Sequence, residues 1–239
     1  MTRKVCLAQY PIDQDLSEED HSLLLREKPH FLCFPEYYFV SKSIPNLTQN
    51  SIHQSANRDK LKRLSSDLSC TIIGGTMISQ SDDKFKNTSY ICSRGEELGS
   101  YDKINLFASE NNTLTPGTEQ RIFHAEGLIF SVIICADVFK RESFTNLTQK
   151  GVQLIFIPTF SPLKDEPVEK KFQRDRDIFL AGAGLSQSYI VKVCSVGSLH
   201  DKKAQGRSLV CSPTEILLRV PPEDEQKPQL IFTDLSFPD

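Results

Sequence analysis

Leu128-Ile-Phe-Ser-Val-Ile-Ile-Cys135 and Val152-Gln-Leu-Ile-Phe-Ile157 are two short segments that are apolar at nearly every position. A strand with one face in water alternates apolar and polar residues, whereas a strand covered on both faces does not. These two segments are therefore predicted to be strands of a buried sheet.

Further short apolar runs extend this pattern along the chain. They predict strands at Val5–Tyr10, Phe31–Phe34, Thr71–Gly74, Ser89–Cys92, Tyr189–Val196, Ser208–Cys211, Glu215–Val220 and Leu230–Thr233. Polar segments of helical length lie between them, at Ser17–Lys28, Asn57–Leu68, Lys140–Lys150 and Val168–Gln187, the last ending near the glycine-containing stretch at 181–184. This order indicates a layered α/β fold, and because no linker divides the chain we expect a single domain over residues 1–239.

Composition restricts the classes of function. The 28 Lys and Arg residues are outnumbered by 31 Asp and Glu residues, so no basic field favours nucleic acid or an anionic membrane as a partner. No apolar run is long enough to span a bilayer and no secretory signal is recognised, so we expect a cytoplasmic protein. The odd count of seven cysteines, nearly all in apolar runs, predicts reduced thiols, six of them core residues.

Three polar residues stand out because each follows or closes an apolar run. They are Glu36, Lys103 and Cys135, and strand ends are where α/β proteins bind ligands. The predicted helix at 140–150 would place its dipole near Cys135 and favour a thiolate. Taken singly, a cysteine in a strand is usually a core residue, and a loop Glu or Lys is usually solvated. The sequence has no phosphate-binding loop, no serine-hydrolase elbow and no closely spaced zinc-binding cysteines. It therefore predicts neither a cofactor nor a metal.

The combination is more informative than any single residue. Phe34-Pro-Glu36, Tyr101-Asp-Lys-Ile-Asn-Leu-Phe107 and Ile133-Ile-Cys-Ala-Asp137 resemble, in order, the three signature segments of the nitrilase, or carbon–nitrogen hydrolase, superfamily. The resemblance implies a four-layer α-β-β-α sandwich and a homodimer or higher homo-oligomer. The chain departs from the family pattern in lacking the arginine that follows the nucleophile, and in having Gly182–Ser186 where the family has Arg-Ala-x-Glu-Asn.

The resemblance also implies chemical roles. Cys135 is the expected nucleophile, Glu36 the general base, and Lys103 the cation that stabilises an oxyanion beside the backbone N–H of Ala136. Glu110 resembles a second glutamate that positions substrate and lysine; the alternative is an ordinary loop carboxylate. The pocket wall is expected to include Tyr37, Phe107, Ala136, Thr159 and Phe160.

Three functional hypotheses follow. The first is a cofactor-free hydrolase of a small-molecule amide, with nitrile and ureido substrates less favoured. The second, motivated by the missing family residues, is a catalytically silent scaffold or binding protein of the same fold. The third is an enzyme that passes the acyl group to an amine instead of water, although such members usually carry membrane segments.

Overall fold

The computed structural model describes residues 1–238, in which strands and helices alternate over most of the chain. The strands are β1 (Thr2–Gln9), β2 (Phe31–Cys33), β3 (Thr71–Ile73), β4 (Met77–Ser81), β5 (Lys84–Ser93), β6 (Glu96–Asp102), β7 (Ile122–Ala125), β8 (Leu128–Val132), β9 (Leu154–Thr159), β10 (Tyr189–Cys194), β11 (Ser198–Leu199), β12 (Lys202–Lys203), β13 (Leu209–Cys211), β14 (Ile216–Arg219) and β15 (Gln229–Ser236). The α-helices are α1 (Glu18–Glu27), α2 (Gln54–Asp67), α3 (Glu142–Thr148), α4 (Val168–Asp175) and α5 (Ala181–Ser186). A π-helical turn, Arg176–Leu180, joins α4 to α5, and 3-10 turns occupy Leu47–His53, Cys135–Phe139 and Pro222–Asp224.

The strands form two main sheets. The first has the order β15-β1-β2-β3-β5-β4, with β6 also paired to β5, and the second has the order β14-β13-β10-β9-β8-β7. Both are mixed, with parallel pairs at the centre (β1 with β2, β2 with β3, β8 with β9, and β9 with β10) and antiparallel strands at the edges. A small hairpin of β11 and β12 stands apart.

The two sheets pack face to face, as the fully apolar runs predict. Val5, Phe31 and Ile73 of the first sheet share one buried cluster with Phe130 and Phe156 of the second. The ring centroid of Phe31 lies 5.4 Å from that of Phe130 and 5.4 Å from that of Phe156. Because alternate strand residues point to opposite faces, the remaining apolar residues of these strands face outward and need helices to cover them.

Helices cover both outer faces. Leu24 of α1 and Leu61 of α2 pack against the outer face of the first sheet. Phe144 of α3, Phe179 of the π turn and Ala183 of α5 pack against the outer face of the second. The result is the predicted α-β-β-α sandwich. No helix within residues 1–238 has both the length and the apolar character needed to cross a bilayer.

The structure differs from the sequence-based expectation at several points. Strands β4 and β6, which carry accessible polar residues, and the short strands β7, β11 and β12 were not predicted. Strand β8 ends at Val132, before Cys135. The glycine-containing stretch at 181–184 lies within α5, inside the helix predicted at Val168–Gln187, and a Cβ on Gly182 would lie 2.7 Å from the Phe144 ring. Glycine is therefore used there for close packing.

Three parallel strands end at the same place. The residues after β2, β8 and β9 bring together Glu36, Cys135 and Phe160, and Lys103 follows β6. Rigid strands thus hold loops that carry the polar side chains, as is typical of sites in α/β folds.

Candidate active site

A buried ammonium between two carboxylates is the centre of the site. Lys103 Nζ lies 2.8 Å from Glu36 Oε1 and 2.6 Å from Glu110 Oε2, and all three side chains are 1% exposed. The side-chain amide of Asn87 donates to Glu36 Oε1 at 3.0 Å and to Glu110 Oε1 at 2.9 Å. Buried charges are tolerated only when paired and hydrogen-bonded, and this arrangement meets both requirements.

The backbone around each carboxylate completes its hydrogen bonding. The N–H of Phe160 donates to Glu36 Oε2 at 2.9 Å. The N–H of Phe107 donates to Glu110 Oε2 at 2.7 Å, and the Tyr37 hydroxyl donates to Glu110 Oε1 at 2.6 Å. Glu110 is therefore a fixed member of the buried cluster and not a solvated loop carboxylate.

Cys135 sits on a strained turn that directs its thiol toward this cluster. Its φ is +41°, a left-handed conformation that non-glycine residues rarely adopt. Asp137 holds the turn, since its carboxylate accepts hydrogen bonds from the N–H of Ile134 (2.8 Å), the N–H of Asn105 (2.7 Å) and the hydroxyl of Tyr101 (2.8 Å). The Cys135 thiol donates to the carbonyl oxygen of Phe160 at 3.6 Å.

The seven cysteines divide as expected from the sequence. Six are buried, and Cys135 alone is partly accessible. A thiol that opens to a cavity and lies beside a carboxylate is suited to react, whereas fully buried thiols act as small apolar residues.

The protonation states are set by burial and by the mutual attraction of these charges. Burial raises the pKa of Glu36, and Lys103 only partly offsets it. Burial also acts against ionisation of Glu110, but Lys103 and the hydrogen bond from Tyr37 bring its pKa below the usual value. For Lys103, burial is outweighed by Glu36, Cys135 and Glu110, which raise its pKa and keep it a cation.

The expectation that a helix dipole ionises Cys135 is wrong. Helix α3 begins only at Glu142, and Cys135 instead opens a five-residue 3-10 turn. Burial and the neighbouring carboxylate of Glu36 raise the pKa of the thiol well above its usual value, more than Lys103 lowers it. The side chain of Cys135 is therefore held as a thiol, and Glu36 is the adjacent carboxylate.

These residues face one cavity of about 480 Å³, a size typical of small-molecule sites. Of the residues predicted from sequence, the cavity is lined by Glu36, Tyr37, Lys103, Phe107, Glu110, Cys135, Thr159 and Phe160. Ala136 is not among its lining residues; it faces a neighbouring depression with Phe107 and Phe139. The backbone N–H of Ala136 lies near the start of the 3-10 turn, where N–H groups have no hydrogen-bond acceptor within the turn.

A second group of buried charges was missed by the sequence analysis. Lys192, on the outer face of β10, and Arg207 are 2% and 3% exposed and also line the cavity. Both contact Asp175, at 3.5 Å and 2.9 Å. A lone lysine within the apolar run Tyr189–Val196 was the available signal.

Comparisons with known proteins identify the family of the chain. A family model described as carbon-nitrogen hydrolase matches residues 17–239. The 2-oxoglutaramate amidase of Bacillus subtilis (strain 168) is 25% identical over 186 residues, which are 76% of this chain and 70% of that protein. A nitrilase of Pyrococcus abyssi (strain GE5 / Orsay) is 28% identical over 170 residues, 71% of this chain, and the chain spans only 61% of that protein.

Among solved structures, an amidase from Nesterenkonia sp. AN1, with acrylamide added at its active-site cysteine, is similar with a TM-score of 0.81. The two chains are 19% identical, and the match covers 98% of this chain and 93% of the other. At this identity the likeness establishes the shared fold.

Proposed function

Because the chain belongs to the carbon–nitrogen hydrolase family of the nitrilase superfamily, we propose that it hydrolyses a small amide through a thioester on Cys135. The observation that carries this proposal is the convergence of Cys135, Glu36 and Lys103 on one cavity, with Lys103 Nζ held 2.8 Å from Glu36. A nucleophile, a base and a fixed cation are the groups that acyl transfer requires.

The first step forms the covalent bond. Glu36 takes the thiol proton as Cys135 Sγ attacks the amide carbon, which avoids a free thiolate in a buried site. The carbonyl oxygen becomes an oxyanion, stabilised by the ammonium of Lys103 and the backbone N–H of Ala136. Because the lysine is already fixed between Glu36 and Glu110, little reorganisation is needed as charge develops.

The second and third steps release the products. Glu36 passes its proton to the leaving nitrogen, the C–N bond breaks, and ammonia or an amine leaves a thioester on Cys135. Glu36 then removes a proton from water as the water oxygen attacks the thioester carbon. Collapse of this second intermediate breaks the C–S bond, releases the carboxylic acid and returns the proton to the thiol.

Glu110 and Asn87 act through the other groups. Glu110 holds the lysine from the side opposite Glu36, and Asn87 bridges the two carboxylates. We assign both as positioning residues, since their contacts fix the distance between Lys103 and Glu36.

An amide substrate is favoured over a nitrile. The relative from Bacillus is an amidase by name, as is the structural neighbour from Nesterenkonia, whereas the relative from Pyrococcus is named a nitrilase. The choice is tested by including small amides, ureido acids and nitriles in one panel.

The test compares ammonia release by the parent protein with that by Cys135→Ala, using Cys92→Ala as a matched control in which a buried thiol is removed instead. We expect release by the parent and by Cys92→Ala, and none by Cys135→Ala. Equal release by the parent and Cys135→Ala would refute the mechanism. If the parent protein releases no ammonia and mass spectrometry of the intact protein shows no acyl adduct, the silent scaffold is favoured. Hydroxylamine is added in a parallel reaction as an acceptor, and formation of a hydroxamate would reveal acyl transfer to an amine.

A further inference from the structure

The wall of the cavity beyond the reacting groups is strongly cationic. Apart from Lys103, Glu36 and Glu110, its charged lining residues are five cations and two carboxylates: Lys164, Arg174, Lys192, Lys202 and Arg207, with Asp175 and Asp201. Two of the cations, Lys192 and Arg207, are almost fully buried. Positive charge is therefore built into the interior of the cavity and is not confined to its exposed rim.

The cluster of charges around Asp175, which lies partly in this wall and partly behind it, does not balance. Asp175 and Glu225 are the carboxylates of a cluster that also contains Lys171, Lys192, Arg207 and Arg219. One oxygen of Asp175 lies 2.9 Å from Arg207 Nη2 and 3.2 Å from Arg219 Nε. Glu166, close by, is bound to Arg174 through two contacts. The cluster thus has two more cations than carboxylates.

Of the two buried cations that line the cavity, Lys192 is more weakly compensated than Arg207. Within residues 1–238 its one carboxylate partner is Asp175, whose Oδ1 lies 3.5 Å from Nζ, beyond the usual length of a charged hydrogen bond. Its other interaction is with the ring of Phe179, 4.6 Å from Nζ to the centroid. An ammonium has three hydrogens to donate, and a buried cation without acceptors is unfavourable. An anion entering the cavity would supply the missing acceptor.

We propose that Lys192, supported by Arg207, binds a carboxylate on the acyl portion of the substrate, so that the preferred substrates are monoamides of small dicarboxylic acids. This inference rests on the proposed amide hydrolysis at Cys135, because the cationic wall and the thiol face the same cavity. A neutral amide leaves Lys192 with only the 3.5 Å contact to Asp175, whereas the carboxylate of an acidic amide would supply a closer acceptor. Sites built to bind a polar group discriminate strongly against analogues that lack the group.

The first arm of the test uses the parent protein alone. Succinamate, glutaramate and adipamate are compared with the corresponding diamides, which have nearly the same size but no charge, by initial rates of ammonia release. At least one acidic amide is expected to exceed its diamide in kcat/KM by about tenfold or more. Equal values for every pair would overturn the inference while leaving amide hydrolysis intact.

The second arm assigns the effect to Lys192. Lys192→Met removes the charge and keeps the length of the side chain; Lys203→Met removes an exposed charge from β12 outside the cavity lining. The ratio of kcat/KM for the acidic amide to that for its diamide is expected to fall toward one in Lys192→Met and to stay at the parent value in Lys203→Met. A parent-like ratio in a folded Lys192→Met protein would contradict the assignment.

The third arm separates binding from catalysis. Binding to Cys135→Ala is measured by isothermal titration calorimetry. Succinamate and glutaramate are expected to bind, and the corresponding diamides are not. If no amide is hydrolysed by the parent but this charge-dependent binding is seen, the proposed function fails and the anion site stands. If neutral and acidic amides bind alike, the anion site is refuted whatever the catalytic result.

Discussion

Lys103 Nζ and Glu36 Oε1 lie 2.8 Å apart although 67 residues separate them in sequence. Both side chains are 1% exposed, so their attraction acts in a medium that screens charge far less than water does. The contact keeps Lys103 protonated, while burial still raises the pKa of Glu36. One pair thereby supplies a fixed cation and a carboxylate that binds protons more readily than usual.

Replacing Lys103 with methionine is expected to remove most activity. A lost oxyanion donor typically costs about 3 to 4 kcal/mol, or roughly 10²- to 10³-fold in kcat. Stability should fall as well, because Glu36 and Glu110 would face each other without a counterion. Steady-state kinetics and thermal denaturation measure the two effects. Lys86→Met, which removes a half-buried lysine bound to Asp102, is the control and should retain activity. A Lys103→Met protein with parent-like kcat would contradict the oxyanion role.

The acid limb of the pH–rate profile should lie above the ordinary glutamate range. Glu36 must be ionised to accept the thiol proton, and its pKa is raised above 4.5, primarily by burial. Activity is therefore lost as pH falls through this raised value. Lys103, whose pKa is raised above 10.5, should cause no loss at mildly alkaline pH. The dependence of kcat/KM on pH reports these groups in the free enzyme. A midpoint at or below 4.5, in protein still folded by circular dichroism, would disagree with this assignment.

Tyr37→Phe should lower kcat by about tenfold with little change in KM. The substitution removes the hydroxyl that donates to Glu110 Oε1 at 2.6 Å, and a hydrogen bond to a charged group contributes about 1.5 to 3 kcal/mol. Glu110 would then hold Lys103 less firmly. Tyr38→Phe is a matched control on the adjacent residue, which packs in the outer core against Phe34. An equal decrease in both variants would point to loop packing instead of positioning.

Gly182→Ala should destabilise the protein by about 1 to 3 kcal/mol, the usual range for overpacking a core. The added methyl group would lie 2.7 Å from the ring of Phe144, which is itself held between α3 and the second sheet. Chemical denaturation measures the change. Gly184→Ala, in the same helix, meets its nearest atom only at 3.3 Å and should cost less. Because both substitutions gain the same helix propensity, the reverse order would show that the contact with Phe144 does not set the cost.

The sequence by itself determined the class of fold and the main chemical residues. Fully apolar runs such as Leu128–Cys135 specify buried strands, because only strands covered on both faces lack polar alternation. The segments around Glu36, Lys103 and Cys135 were sufficient to indicate the family. Strands β4 and β6 escaped prediction because their accessible polar residues resemble those of loops, and β7 because it has only four residues, of which Ile122 and His124 are exposed.

Only the tertiary structure decided how the charges are distributed. Asn87 bridges Glu36 and Glu110, which are far from it in the chain. Asp175 is likewise contacted by two distant residues, Lys192 and Arg207. The thiol state of Cys135 was also decided there, since burial and the carboxylate of Glu36 raise its pKa more than Lys103 lowers it, and the helix whose dipole was expected to act on it begins only at Glu142. Burial and proximity are properties of packing, and both set the energy of a charge. They arise when the two sheets and their helices come together.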